Sequence, residues 1–489
     1  MYRKKEPQIH INEYLPAFSG TLNPNNRWVR MAELIPWEEF EDEYASKFGK
    51  TGNLAYPLRM ALGTLIIKEK KKTSNEETIQ EIIESRYLQY FIGLHDFTNE
   101  APFDQSAVTR FAQRLGSDII QRVNKRVCEI AESRNNNSDD QDEPPKGTSG
   151  RVDRKKQEPD NKGKIILDAT CAPSDIRYPT DISLLNQARE KLEDIIDTLH
   201  NPLCGVQAKP RTYRKTARKD YLSWSKKRGK SNKSWKKALR QQLGYVRRDL
   251  IIVEQLLHTE GIGTLSSRQS KDLDTIRKLF NQQETMYKNH THQIEDRIIS
   301  IQQPYIRPIK RGKIHADTEF GAKVSISVIN GYAHIDRISW NNYNEAQDLI
   351  EVAEKYNLKY GHYPEVIQAD QIYRNRRNRT YCKTNGIRLS GPPLGRPPKD
   401  TNLTKELRLQ TYQDSCERNA VEGKFGEAKR CGTLGRITAR LQATSETQIC
   451  VVFLVRNLLK ALRNLLRQFL EMVLGKFMGY FKLCIVAGN

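Results

Sequence analysis

The feature that most constrains the fold is a change of hydrophobic period across one polar segment. Residues 134–163 contain almost no apolar side chains. A segment of that composition cannot bury enough surface to fold, so it predicts a disordered linker. In residues 1–133 apolar side chains recur at helical spacing, which predicts a helical N-terminal domain. It is either a DNA-binding domain whose basic third helix enters a DNA groove or an ordinary bundle with a solvated basic face. After the linker, short β-branched runs and alternating segments predict strands.

The strands of the second part are separated by a helix and by a hairpin turn. KIILDATCAP predicts a first strand that ends at Asp168, and PEVIQAD predicts a later one that ends at Asp370. Residues 322–331 and 332–340 alternate apolar and polar side chains around Asn330-Gly331, which is typical of a tight hairpin. A helix follows the hairpin, and one more strand is predicted at 386–391. This order predicts a mixed α/β sheet with helices on its faces.

A long helical insertion separates the first strand from the hairpin. It covers 184–310, and its middle, 206–248, holds sixteen Lys or Arg side chains and one acidic side chain, Asp220. Aromatic residues, among them Trp224 and Trp235, lie between the basic ones. Basic residues can neutralise phosphates while aromatics stack on bases, which favours a DNA-binding insertion. The alternative is a structural helical hairpin whose aromatic residues only pack its helices.

Charge and composition favour a nucleic acid partner. The 489-residue chain has a net charge of +22. The alternative explanation for this charge is general solubility, but the basic residues are clustered rather than dispersed, which favours a polyanionic partner. The eight cysteines include no C-x-x-C pair, which argues against a structural zinc site. No apolar run opens the chain, and lysine or arginine interrupts the apolar C-terminal segments. We therefore expect a cytoplasmic protein without a signal peptide or membrane span.

Asp168 and Asp370 share one sequence context, because each follows a short apolar strand. Ligand sites of α/β sheets lie at strand ends, and two neighbouring carboxylates repel each other unless a cation lies between them. Oxygen ligands suit Mg²⁺ or Mn²⁺, and two such ions can activate a nucleophile and stabilise the leaving oxygen at a phosphodiester. The alternative is that either aspartate is a turn residue or helix cap.

The segment RNAVEGKFGEAKR, residues 418–430, adds a third carboxylate. On a helix Arg418, Glu422 and Lys429 share one face, whereas Glu417 and Glu427 turn away from Glu422. The adjacent apolar stripe that would dock on the sheet consists of Val421, Phe425 and Ala428. Glu422 is then either a metal ligand at the edge of a buried face or part of a surface ion-pair ladder.

At these residues the chain resembles the DDE transposases of bacterial insertion sequences. The likeness is strongest to the insertion-sequence-five family, within the group marked by a Y-x2-R-x3-E-x6-K signature. Arg418, Glu422 and Lys429 match its last three positions, and Ser415 stands at the tyrosine position. LDAT around Asp168 and IQADQIYRN around the second aspartate resemble the family's two aspartate motifs.

The resemblance implies a ribonuclease-H-like DDE catalytic domain formed by 164–183 and 311–489. It implies that Asp168, Asp370 and Glu422 are the catalytic and metal-binding residues. It also implies cleavage at terminal inverted repeats and strand transfer into target DNA. Arg418 and Lys429 would then contact DNA phosphates, and the protein would work as a homodimer on two transposon ends.

Two further motifs have a functional and a plain interpretation. Four arginines follow the second aspartate and could hold the DNA backbone, or they could form a solvated loop. These are Arg374, Arg376, Arg377 and Arg379. HIDR, residues 334–337, fits the H-x-x-R pattern of tyrosine recombinases, but its position inside an alternating strand favours a chance match.

Three functions remain compatible with these patterns. The first is an active metal-dependent transposase, which an intact set of three carboxylates favours. The second is an inactive or domesticated transposase that acts as a DNA-binding protein. The third is a nuclease that cuts DNA without joining it.

Overall fold

The computed structural model describes residues 1–2, 17–139, 161–259, 264–313, 316–392 and 401–486. The chain divides into two units. The first comprises residues 1–172, 324–338 and 343–489, and the second comprises 173–323 and 339–342. The helical insertion predicted at 184–310 lies within the second unit, and the N-terminal helices share the first unit with most of the sheet.

The first unit begins with a helical bundle. Its N-terminal helices are α1 (Arg27–Leu34), α2 (Glu41–Ser46), α3 (Leu58–Lys71), α4 (Asn75–Glu84), α5 (Arg86–Phe91) and α6 (Gln105–Asp139). Helix α6 bends at Gly116, whose φ of +69° favours glycine. Because α6 continues to Asp139, residues 134–139 are helical rather than linker, and residues 140–160 lie outside the described part of the chain.

One apolar core joins these helices to the C-terminal part of the first unit. The C-terminal helix, α14 (Gln442–Val486), packs along α6 and also contacts α3 and α1. Leu454, Val455 and Leu458 of α14 are buried against Leu62, Ile66 and other residues of α3. Among the described residues, no helix combines the length and the apolar character that crossing a bilayer requires.

The sheet is mixed and has six strands. They are β1 (Lys164–Pro173), β2 (Arg307–Lys313), β3 (Ala316–Ile329), β4 (Tyr332–Ser339), β5 (Val366–Ala369) and β6 (Arg388–Leu389). The strand order is β2-β3-β1-β5-β6, and β4 pairs with β3. β1, β5 and β6 are parallel, whereas β2 is antiparallel to β3. Asn330 and Gly331 both have positive φ and form the predicted two-residue turn between β3 and β4.

Helices cover both faces of the parallel strands. Ile165 and Leu167 of β1 pack, with Ile367 and Ala369 of β5, against α11 (Asp348–Tyr360) and α12 (Arg376–Thr384). The opposite face of β5 contacts α13 (Thr401–Arg430). Because side chains alternate along a strand, Asp168 projects toward the α13 face, like Gln368.

The second unit is built on a helical core of its own. Its helices are α7 (Asp181–His200), α8 (Arg214–Ser225), α9 (Asn232–Leu257) and α10 (Ser267–Lys288). Thr180 and Ser183 form a capping box that begins α7, and Ser266 and Gln269 form another that begins α10. Leucine and isoleucine side chains from α7, α9 and α10 form the buried core.

Candidate active site

Asp168 and Asp370 occupy equivalent positions on adjacent parallel strands. The β1–β5 ladder pairs Lys164 with Val366 and continues to Leu167 and Ala369, so each aspartate is the next residue along its strand. Parallel strands in register bring such residues to the same level of the sheet. The two aspartates that the sequence singled out are therefore brought together.

The prediction that Asp168 ends its strand is wrong. β1 continues to Pro173, with Thr170, Cys171 and Ala172 buried. β3 remains beside the end of this strand, since the N–H of Ser174 donates to the carbonyl of Phe320 at 2.8 Å. Asp168 therefore stands where the ladder between β1 and β5 has ended.

The environment of Asp168 disfavours its charged form. The pKa of Asp168 is raised to about 6, first by burial and then by the neighbouring carboxylates of Glu345 and Asp370. Two interactions oppose this effect. The backbone N–H of Ala169 donates to Asp168 Oδ1 at 2.8 Å, and the Arg418 guanidinium favours the carboxylate. A carboxylate with carboxylate neighbours is a group that a cation would stabilise.

Asp370 is exposed and also caps a helical turn. Its Oδ1 accepts a hydrogen bond from the backbone N–H of Gln371 at 2.7 Å, at the start of the 3₁₀ turn Gln371–Tyr373. Capping, which the sequence left open as an alternative, is therefore one of its roles. It does not exclude a second role for the carboxylate.

Helix α13 carries the signature residues across this face of the sheet. Val421, Phe425 and Ala428 are buried, as the predicted stripe requires. Arg388 of β6 donates two hydrogen bonds, of 2.6 and 2.9 Å, to the buried carboxylate of Asp414. This ion pair holds the N-terminal half of α13 against the sheet. The helix thus docks in the predicted orientation.

Glu422 is 59% exposed and lies 3.7 Å from the Arg418 guanidinium. This is the ion pair of the ladder interpretation. Arg418 is less exposed than Glu422 and acts on Asp168 as well. It therefore links the third predicted carboxylate to the first.

Glu417, which the helical geometry turns away from Glu422, contacts the sheet. Its carboxylate accepts hydrogen bonds from Lys164 Nζ at 3.0 Å and from Gln368 Nε2 at 2.6 Å, and these interactions lower its pKa. These donors belong to β1 and β5, so the Glu417 carboxylate faces the sheet. Two donors engage it there, and its role is to dock α13.

The four arginines after Asp370 divide into two pairs. Arg374 donates to the backbone carbonyls of Ser390 and Pro392, and Arg379 Nε donates to the carbonyl of Arg374 at 2.6 Å. These two stabilise the local backbone. Arg376 and Arg377 are exposed at the start of α12.

Sequence reasoning missed Glu345, which follows β4. It opens a 3₁₀ turn, Glu345–Gln347, and Asn344 caps that turn by accepting from the N–H of Ala346 at 3.1 Å. The sequence here continues into the amphipathic α11, so the glutamate resembled an ordinary first-turn residue. The available signal was its place in the connection between β4, which ends at Ser339, and the helix α11.

The aromatic residues of the second unit pack within it. Trp224 and Trp235 are half-buried against the helical core. Lys230 Nζ lies 4.2 Å from the Trp224 ring centre, and the His292 ring lies 5.1 Å from that of Trp235. These contacts fit the alternative in which the aromatic residues of the insertion pack its helices. The two lysines and the arginine at 226–228 are exposed.

HIDR lies within β4, as its alternation predicts. Arg337 Nε lies 3.2 Å from Asp348 Oδ1. His334 and Asp336 instead line a cavity of about 580 Å³ next to α6 and α11. The histidine and the arginine therefore contact different groups and do not form a common site, as expected for a chance match.

The donor set fits a hard divalent cation. Carboxylate oxygens are the ligands that Mg²⁺ and Mn²⁺ prefer, and Asp168 and Asp370 both offer them at the same level of the sheet. In the described part of the chain, no three His, Cys, Asp or Glu side chains are close enough together to hold a metal ion. The aspartates are adjacent, but Glu422 would have to leave Arg418 to join them.

Two segments of the chain match family models of transposase domains. Residues 367–459 match a family model described as a transposase DDE domain, and residues 17–114 match a transposase domain (DUF772). An uncharacterized protein, ORF8 in the nfe locus of Rhizobium meliloti, is 28% identical over 191 residues, which are 39% of this chain and 83% of that protein. No solved structure is significantly similar. The two domain matches support a transposase function in general.

Proposed function

We propose that this protein is a metal-dependent DDE transposase of a bacterial insertion sequence, close to the insertion-sequence-five family, with a ribonuclease-H-like catalytic domain. It cleaves DNA strands at terminal inverted repeats and transfers them into target DNA. The observation that carries the proposal is the register of β1 and β5, which aligns Asp168 with Asp370 under the helix that contains Arg418, Glu422 and Lys429.

The proposed roles follow from the charges at the site. Asp168, Asp370 and Glu422 would hold one or two Mg²⁺ or Mn²⁺ ions. A bound ion supplies Lewis-acid stabilisation of the attacking and leaving oxygens. The positive charge of Arg418 favours the ionised form of Asp168, and with a cation bound at the carboxylates Arg418 would be available to contact a DNA phosphate. Lys429, on the same face of α13, would contact the backbone further along.

The partners are proposed from the same features. The excess of positive charge suits double-stranded DNA, both transposon ends and target, and would direct the protein to the bacterial nucleoid in the cytoplasm. Arg376 and Arg377 are better candidates for backbone contacts than Arg374 and Arg379. A homodimer would hold two ends at once.

The test replaces Asp370 with asparagine, which keeps the shape of the side chain and its capping oxygen. We expect D370N to nick DNA containing the element's terminal repeats at least about a hundredfold more slowly than the wild type in Mg²⁺, since an electrostatic contribution to the transition state is lost. D274N, at an exposed position of α10, is the matched control and should nick normally.

The alternatives give different outcomes in the same assay. A wild type that binds the repeats but never nicks them, in Mg²⁺ or Mn²⁺, would instead support a DNA-binding protein. Nicking without a strand-transfer product would support a nuclease. Equal nicking by D370N and the wild type would reject the assignment of the site.

A further inference from the structure

A groove on the second unit combines aromatic and basic side chains on one surface. It has a volume of about 420 Å³, and the described residues that line it all belong to that unit. Its floor is one face of the antiparallel pair β2 and β3, where Pro308 lies opposite Phe320 and Lys310 lies opposite Thr318. Residues two positions apart on a strand share a face, so these four side chains form one continuous surface.

Backbone and side-chain contacts hold the walls of this groove in place. Tyr178 belongs to one wall, in the connection between β1 and α7, two positions before Thr180 begins the capping box of α7. Arg297 belongs to the other wall. It donates to Asp181 Oδ1 at 2.6 Å and to the carbonyl of His292 at 2.7 Å. Both walls are thus attached to the first turn of α7, and the groove is formed before a ligand binds.

The aromatic ring of Tyr178 is largely open to solvent. The residue is 71% exposed, and its ring centre lies 5.4 Å from that of the half-buried Phe320, with the two rings almost perpendicular. This edge-to-face contact orients the tyrosine ring without covering it. A planar ligand could therefore stack on Tyr178 without displacing any side chain of the core.

The charges beside this ring are positive. Lys310 is exposed on the floor of the groove, and the exposed Arg177 directly precedes Tyr178. None of the described residues that line the groove is acidic. A single exposed tyrosine is ordinary on a protein surface, but a fixed aromatic ring with cations beside it is the combination that binds unpaired nucleic acid strands. The ring stacks on a base while the cations contact phosphates.

We infer that this groove binds an unpaired nucleotide of a DNA strand, with its base stacked on the Tyr178 ring and its phosphate near Lys310. A base inside a duplex is covered by its neighbours on both sides, so only an unpaired or extruded base can present a face to the ring. The inference rests on the DNA substrate of the proposed function. It adds a preference for unpaired over paired strands, which the signature residues do not supply.

Binding of full-length protein to two DNA duplexes of equal length tests this inference. One duplex is fully paired and the other has a short single-stranded gap, and fluorescence anisotropy without divalent metal measures both affinities. We expect Y178A and Y178L to bind the gapped duplex about fivefold or more weakly than the wild type, since the stacked base loses its ring. Y178F keeps the ring and should bind normally.

The fully paired duplex and a second variant are the controls. All the Tyr178 variants should bind the paired duplex like the wild type, because stacking plays no part there. I251A removes an exposed apolar side chain from α9 of the same unit and should bind both duplexes normally.

The outcomes separate this inference from the proposed function. Equal binding of the gapped duplex by Y178A and the wild type would overturn the inference and leave the nicking test with D370N unaffected. Equal weakening of both duplexes by Y178A would indicate a backbone contact in place of stacking and would also overturn it. A wild type that binds neither duplex would reject the proposed function as well.

Two measurements on the wild type identify the ligand more closely. A gapped duplex with 5-iodouracil in the gap should crosslink to Tyr178 on irradiation, read by peptide mass spectrometry, and crosslinks only outside the groove would overturn the inference. A free nucleotide is the other source of the same chemistry. Because dTMP lacks the neighbouring phosphates, a large excess should not displace the gapped duplex. Displacement by dTMP from the wild type would assign the groove to free nucleotides instead.

Discussion

At the scale of single residues, Asp336 shows how a buried carboxylate connects stability to pH. Burial raises its pKa to about 8, although the Ser327 hydroxyl donates to its Oδ1 at 3.0 Å. Its neighbour His334 has a pKa that burial lowers to about 4. Both side chains are therefore neutral in the folded protein at pH 6.5, and neither needs a charged partner.

D336N should remove part of the protein's loss of stability at high pH. From pH 6.5 to 9 the unfolded state keeps Asp336 ionised while the folded state releases its proton only near pH 8. The folded state binds more protons, so stability falls as pH rises, by about 1–2 kcal/mol. The expected result is a Tm that falls less between these pH values in D336N than in the wild type.

His334 does not disturb this comparison, because it is neutral in the folded protein throughout that range. The control is D274N, which removes an exposed carboxylate and should follow the wild type. If wild type and D336N lose Tm equally, Asp336 is ionised in the folded state below pH 6.5.

At the scale of elements, the buried amide of Asn378 forms a clamp between two helical turns, Glu345–Gln347 and Gln371–Tyr373, because its Nδ2 donates to the carbonyls of Ala346 and Tyr373. N378A removes two buried hydrogen bonds to carbonyls, which should destabilise the protein by about 1–3 kcal/mol. It should also weaken Mn²⁺ binding, because the turn capped by the proposed ligand Asp370 loses a support. Unfolding in urea and calorimetric titration measure the two effects.

N385A is the matched control for the clamp. Asn385 also lies in this region, but its amide donates to Tyr381 of its own helix at 3.0 Å and joins no second element. N385A should retain wild-type Mn²⁺ affinity. Equal metal affinity in N378A and the wild type would show that the turns hold their positions without the clamp.

Elements with a strong local pattern were predictable from sequence. The hairpin followed from the alternation around Asn330-Gly331, and the docking face of α13 followed from Val421, Phe425 and Ala428. Side-chain period and turn chemistry act within a few residues, so a single sequence reveals them.

The rest of the site depends on contacts between distant segments. Asp168 lies within a strand because β3 continues beside it, and Glu417 points to the sheet because Lys164 and Gln368 meet it there. Glu345 approaches Asp168 only because two turns that are 26 positions apart in the chain pack together. No local pattern encodes such proximities.

At the scale of the whole molecule, positive charge is the dominant property. The net charge of +22 is concentrated in part in 206–248 of the second unit. There the two tryptophans pack inward, while Lys226, Lys227 and Arg228 are exposed between α8 and α9. Backbone contacts rather than base stacking are therefore what this segment is expected to provide.

Replacing these three basic residues with glutamine should lower the salt dependence of binding to double-stranded DNA. If each contacts one phosphate, the slope of log K against log salt concentration should become shallower by about 2.7, because each phosphate contributes about 0.9. Fluorescence anisotropy from about 50 to 200 mM salt measures the slope. The triple variant R268Q/K271Q/K278Q removes the same charge from exposed positions of α10 and is the control. Equal slopes for the two triple variants would indicate only a general effect of net charge.

Helix α13 places Arg418, Glu422 and Lys429 on a single uninterrupted element. At 1.5 Å per residue, the eleven steps from Arg418 to Lys429 span about 16 Å, which is close to five base-pair steps of DNA. The helix therefore fixes the distance along its axis between Arg418 and Lys429. Adding or deleting one codon within it would rotate Lys429 by about 100° around the axis and shift its reach along a DNA strand.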